Sequence, residues 1–282
     1  MRPGRGQTAG TALSLLIVLG FGLGLAGGQS LSTHVGRAHS AGPLLLPRSV
    51  NGTAYSSYYD AGWYLQSSSV VSNVKGSWIV PKVHGTCGSA TTEASVIVGI
   101  EGYSGSTYTG AAIGVMVACS GGSPSYTALY EFIPYLGLTF STMTIHPGNV
   151  IFASVSASSA THWVLKLTDL NTSQSLSKTF SHSGGRSAAV WLVGVTSSGG
   201  TPIAPLTNFG TVDFGVKYTS VNKTSGATIG THTGSLAYLV NHGAVASVDT
   251  LVKYYGTKVM ASTSQIKSDG RSFTVTWRSA GP

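Results

Sequence analysis

Residues 94–134 constrain the fold more than any other stretch, because three short segments there all repeat with a period of two. They are Ala94-Ser-Val-Ile-Val-Gly-Ile-Glu-Gly102, Gly110-Ala-Ala-Ile-Gly-Val-Met-Val-Ala118 and Tyr126-Thr-Ala-Leu-Tyr-Glu-Phe-Ile-Pro134. Each is rich in β-branched or aromatic residues, and Gly/Ser turns separate them. No 3.6-residue period competes, so the segments read as neighbouring strands of an all-β protein.

Side chains on a strand alternate between its two faces. Val96, Val98 and Ile100 therefore share one face, with Ile97, Gly99 and Glu101 on the other. In the second segment Ile113, Val115 and Val117 oppose Ala112, Gly114 and Met116. In the third, Tyr126, Ala128, Tyr130 and Phe132 oppose Leu129, Glu131 and Ile133. If the strands are adjacent, Glu101 and Glu131 lie on one open face, within an apolar wall of Ile97, Met116, Leu129 and Ile133.

The rest of the chain sets the scale. A length of 282 residues at 42% hydrophobic composition suffices for one core, and an all-β sandwich of this size is commonly one domain. Only 9% of residues are charged, which suits a protein exposed to acid, since few carboxylates are there to be protonated. The net charge of +8 does not indicate a polyanion partner. Arg2, Arg5, Arg37 and Arg48 all precede Tyr55, every acidic residue follows it, and the remaining Lys and Arg form no stripe, so no nucleic-acid partner is expected.

In chain order, residues 1–29 have the layout of a signal peptide: Arg2 and Arg5, an apolar run over residues 11–26, then small residues. The run is shorter than the roughly 20 residues a membrane-spanning helix needs. The expected product is secreted or at the cell surface, with no membrane segment after cleavage. Residues 30–54 read as a pro-segment or linker, and residues 55–282 as the folded domain. Further strands are expected around residues 62–66, 78–81, 140–145, 149–155, 162–167, 175–180, 188–195, 207–216, 245–254, 259–264 and 272–277. Cys87 and Cys119, the two cysteines of the chain, form one disulfide most simply in a secreted protein. Two Cys without a CxxC and eight dispersed His give no recognisable metal-ligand set, and no cofactor is expected. Gly102-Tyr-Ser-Gly-Ser106 only grazes a serine-nucleophile elbow and leads into no helix.

Several stretches together resemble the glutamic peptidases (eqolisins). Val98-Gly-Ile-Glu-Gly102, Thr109-Gly-Ala111 and Ala128-Leu-Tyr-Glu-Phe-Ile-Pro134 match the family's V-G-I-[DE]-G, T-[AG]-A and [AW]-x-Y-E-[FW]-x-P. Ala61-Gly62, Gly76-Ser-Trp-Ile-Val-Pro81, Pro205-Leu-Thr-Asn-Phe-Gly-Thr-Val212 and Asp269-Gly-Arg-Ser-Phe-Thr-Val-Thr-Trp277 extend the likeness over about residues 55–278. The resemblance implies two antiparallel sheets in a concanavalin-like β-sandwich (jelly roll). It also implies an acid endopeptidase in which a Glu activates water and a Gln amide holds the developing oxyanion.

On this pattern Glu131 falls on the family's Glu, and the Gln position falls on Gly114. Ile97 replaces the family's groove Trp. In Ala189-Val-Trp-Leu-Val-Gly194 both Glu positions of the similar strand are lost, at Val190 and Gly194. Gln66 is the one nearby amide that could substitute. Two readings follow: an acid endopeptidase working through Glu131, or a catalytically degenerate sandwich that binds extended peptide or glycan. A third takes Glu101 and Glu131 as a glycosidase pair. The expected partner is a polypeptide substrate or ligand, bound by a monomer.

Overall fold

The computed structural model describes residues 52–133, 136–195, 205–222, 224–253 and 256–281. The signal-peptide reading of residues 1–29 lies outside them, as does residues 30–51 of the expected pro-segment or linker.

The elements in chain order are β1 (Gly52–Ser57), β2 (Asp60–Gln66), β3 (Val71–Ile79), β4 (Thr92–Ser104), β5 (Thr107–Ser120) and β6 (Ser123–Ile133). Then come β7 (Leu136–Thr144), β8 (Val150–Ser159), β9 (His162–Asp169), β10 (Ser175–Phe180), β11 (Ala188–Gly194) and β12 (Thr211–Phe214). A short α1 (Val216–Thr219) precedes β13 (Gly226–Ile229) and β14 (His232–Ser235), and α2 (Leu236–Val240) precedes β15 (Val245–Val252), β16 (Val259–Thr263) and β17 (Phe273–Trp277). The first strand begins inside the stretch read as linker, because Gly52 to Ser57 pair in parallel with residues 246–251 of β15.

Two layers face each other. One runs β7-β6-β5-β4-β11-β2-β15-β1, antiparallel except for its last pair. The other runs β10-β9-β8-β3, with β13 and β14 continuing beyond part of β3. β16, β17 and β12 bridge from β15 to β3, so the hydrogen-bonded ladders join both layers at one side. This is the all-β sandwich expected from the period-two segments.

The core between the layers takes the residues that alternation assigns to it. Val96, Val98, Ile100, Ile113, Val115 and Val117 pack in one cluster with Trp78, Val155, Leu165 and Leu167 of the opposing sheet. Trp63, Trp78, Trp163 and Trp191 are among its largest fully buried side chains. Trp191 keeps its indole N–H satisfied by donating to the Lys75 carbonyl at 2.8 Å. It fits because Gly76 presents no side chain there: a Cβ would collide with Val98 and lie 3.0 Å from the Trp191 ring. Cys87 and Cys119 form the expected disulfide, with Cα atoms 5.3 Å apart, tying the strand-free segment before β4 to the end of β5.

Residues 217–222 and 224–244, which carried no strand expectation, complete α1 and form the β13–β14 hairpin and α2. The helices are only four and five residues long, too short for an amphipathic period to register. The strand expected over residues 207–216 shrinks to Thr211–Phe214, since α1 follows directly after Gly215.

Candidate functional site

The face of the first sheet that points away from the core gathers every side chain that the sequence placed beside Glu131. Strand register fixes the arrangement, because directly paired residues project to the same side. One row across the sheet runs Glu131, Ala112, Gly99, Val190, Tyr64 and Ser247. The next runs Leu129, Gly114, Ile97, Leu192, Gly62 and Asp249. On the other side of Glu131 lies the row Ile133, Gly110, Glu101, Ala188 and Gln66.

Ile97, Met116 and Leu129 join Tyr64, Leu138, Val190 and Leu192 in a second apolar cluster, separate from the main core. This corrects one expectation. The sequence suggested an open face, yet Ile97 and Glu131 are each 8% exposed, Glu101 3% and Leu129 0%. The apolar side chains of this face pack on one another and shield it.

Glu101 and Glu131 are thus both buried on the same face, but β5 runs between them. Adjacent strands lie about 4.8 Å apart, which puts the two Cα atoms at least about 10 Å from each other. Gly110 gives Glu101 its space, since a Cβ there would sit 2.8 Å from the Glu101 Cγ. The Tyr108 hydroxyl donates a hydrogen bond to the Glu101 Oε2. Tyr108 in turn meets Tyr103 edge-on, with ring centres 5.4 Å apart. Glu101 is therefore a buried carboxyl with a hydroxyl donor, two strand spacings and two residues removed from Glu131.

Gly114 occupies the most constrained position of the site. A Cβ there would collide with the Val96 carbonyl oxygen and lie 2.8 Å from the Ile97 Cα. The strands approach so closely that any side chain, and an amide in particular, would require β4 and β5 to separate. Gln66, the one substitute amide considered, is exposed at the end of β2, a strand paired on both sides rather than at an edge. Three strand spacings, roughly 14 Å, separate β2 from β5. Gln66 therefore does not share a subsite with Gly114.

Sequence reasoning missed two carboxyls of this face. Asp60 pairs with Gly194, and Asp249 pairs with Gly62. They are 5% and 0% exposed. The signal for Asp60 was present in the alternation of Asp60, Gly62, Tyr64 and Gln66 against Ala61, Trp63 and Leu65. Asp249 is assigned only by the pairing of β15 with β2, which spans most of the chain. Val190 and Gly194, where the similar strand of the glutamic peptidases has Glu, lie on the same face, opposite Gly99 and Ser95. Among the described residues, no group of three or more His, Cys, Asp or Glu side chains gathers to hold a metal ion, and no helix is long and apolar enough to cross a membrane.

Comparison with known proteins bears on the whole arrangement. The model of the Peptidase A4 family matches residues 59–264. A crystal structure of scytalido-glutamic peptidase with a transition-state analogue inhibitor aligns with a TM-score of 0.61 at 21% identity, covering 82% of this chain and 100% of that one. SCP-B, a member of the eqolisin family in complex with the tripeptide Ala-Ile-His, aligns at 0.58 and 22%, covering 78% and 100%. Aspergilloglutamic peptidase from Aspergillus niger aligns at 0.50 and 27%, covering 66% and 99%. No curated protein matches the sequence. Because that family model spans well over half of the sequence and the β-sandwich fold is shared, the chain belongs to the Peptidase A4 family, the glutamic peptidases (eqolisins).

Proposed function

We propose that this protein is a secreted, peptidase-like β-sandwich that binds extended polypeptide on the far face of its first sheet and has lost efficient turnover. The observation that carries this reading is the packing of Gly114, where the resemblance implies an oxyanion-holding amide and the backbone leaves no space for one. Loss of a single oxyanion donor costs roughly 100- to 1000-fold in turnover. The apolar replacements at Ile97 and Val190, and Gly194, change the same face in the same direction. Binding there requires an extended peptide to displace the side chains that shield this face from water, and to meet the apolar strip and the carboxyls set along it with alternating side chains of its own.

A second reading keeps a slow acid endopeptidase. It is favoured by Glu131, which pairs in register with Ala112, two residues from Gly114, and so sits where it could activate water beside that position.

One experiment separates the two. Full-length protein and a form beginning at Gly52 are incubated with denatured protein and with extended synthetic peptides between pH 2 and 5. The binding reading expects saturable peptide binding and intact peptides. Cleavage that Glu131→Gln abolishes would establish the peptidase reading in its place. Neither binding nor cleavage would overturn both.

A further inference from the structure

His232 and His242 come together outside the far-face site. His232 opens β14, and His242 follows the end of α2. Their ring centres are 4.7 Å apart, and both residues are exposed. Three features hold His242 in place, while His232 is carried by its pairing with Ile229 in the β13–β14 hairpin. The His242 Nδ1 lies 2.8 Å from the Tyr238 carbonyl oxygen, and its backbone N–H donates to Leu239 at 3.0 Å. The Tyr238 ring stacks on the His242 ring, with centres 4.0 Å apart and planes 27° apart. Tyr238 is itself fixed: its N–H donates to the Ser235 hydroxyl at 3.1 Å, and Gly234 leaves room for its ring, 3.0 Å from the Tyr238 Cβ to where a Cβ on Gly234 would stand.

A carbonyl oxygen only accepts, so the His242 Nδ1 carries the proton of the neutral ring. Its Nε2 is left with a lone pair, the arrangement in which a backbone carbonyl orients a metal-binding imidazole. An imidazole nitrogen about 2.0–2.1 Å from a metal places its ring centre about 3.2 Å away, so two such rings at 90–110° have centres about 4.5–5.2 Å apart. The observed 4.7 Å falls inside that interval.

We propose that His232 and His242 form a two-histidine site for a late first-row divalent cation (Cu2+, Zn2+ or Ni2+), whose remaining positions are filled by water or by a ligand from outside the chain. Imidazole nitrogen favours these ions over Mg2+ and Ca2+, and Cu2+ binds tightest among them. The site bridges the β13–β14 hairpin and the end of α2, so an occupied site also stabilises the fold.

The full-length protein is titrated with Cu2+ near pH 7.5 and followed by calorimetry and electron paramagnetic resonance. The expected result is a Cu2+ signal with hyperfine coupling to two nitrogens. His232→Asn and His242→Asn should each weaken binding about tenfold or more, whereas His162→Asn, at another exposed histidine, leaves it unchanged. In wild-type protein, substoichiometric Cu2+ should broaden the ring resonances of His232 and His242 before those of other histidines, a readout that needs no variant. Unchanged Cu2+ affinity in the double variant, or earlier broadening of other histidines, would overturn the proposal.

Discussion

Gly114 faces Ile97 across the β4–β5 ladder so closely that a Cβ on the glycine would press on the Ile97 Cα and strike the Val96 carbonyl. A side chain of any kind at this position therefore requires the two strands to move apart.

Gly114→Ala should lower stability by about 2–3 kcal/mol, since the obstructing atoms are backbone and move only with the strand. Gly114→Gln should destabilise at least as much and leave peptides uncut at acidic pH. Urea unfolding followed by tryptophan fluorescence, with a peptide-cleavage assay on the same samples, checks both. Wild-type stability together with new cleavage in Gly114→Gln would show that the strands yield readily.

Tyr108→Phe removes the hydroxyl that donates to the buried Glu101 carboxyl. The expected cost is about 1–3 kcal/mol, the range for a buried polar group that loses a hydrogen-bond partner. In a Glu101→Gln background the same change should cost less. A double-mutant cycle by chemical denaturation measures the difference, and strict additivity would show that the pair is not coupled.

Breaking the Cys87–Cys119 bridge with serine at both positions should cost about 3–4 kcal/mol, because the bridge closes a loop with a sequence separation of 32. Thermal melts with and without reductant should show the same loss in wild-type protein and no further effect in the variant.

Asp269 and Asp213 should make opposite contributions to pH dependence. Burial pushes the Asp269 carboxyl upward, but the Ser272 hydroxyl, the N–H groups of Arg271 and Ser272 and the charge of Lys217 outweigh it and hold it below its usual value. Its stabilisation is therefore present above the normal Asp range near 3.9 and lost as pH falls through the lowered value. Asp269→Asn should be less stable than wild type at pH 7, and the gap should narrow toward pH 2. Burial raises Asp213, with Lys267 offsetting part of the effect, so stability falls as pH rises from about 3.9 through the raised value. Asp213→Asn should remove that loss. Melting temperatures between pH 2 and 7 test both signs.

The sequence by itself determined the strands of residues 94–134, which side chains point to the core, the grouping of Glu131 with Glu101, Ile97, Met116, Leu129 and Ile133, and the pairing of the two cysteines. Each of these depends on period-two alternation or on a two-member choice, and both are local or nearly so. Only the tertiary structure decided that β11, β2 and β15 continue the same face, bringing Val190, Leu192, Asp60 and Asp249 to it from far along the chain. It also decided that this face is shielded rather than open, and that Gly114 has no space for an amide. The reason is physical: alternation says which side of a strand a residue takes, whereas curvature, strand spacing and long-range partners arise only when distant segments pack.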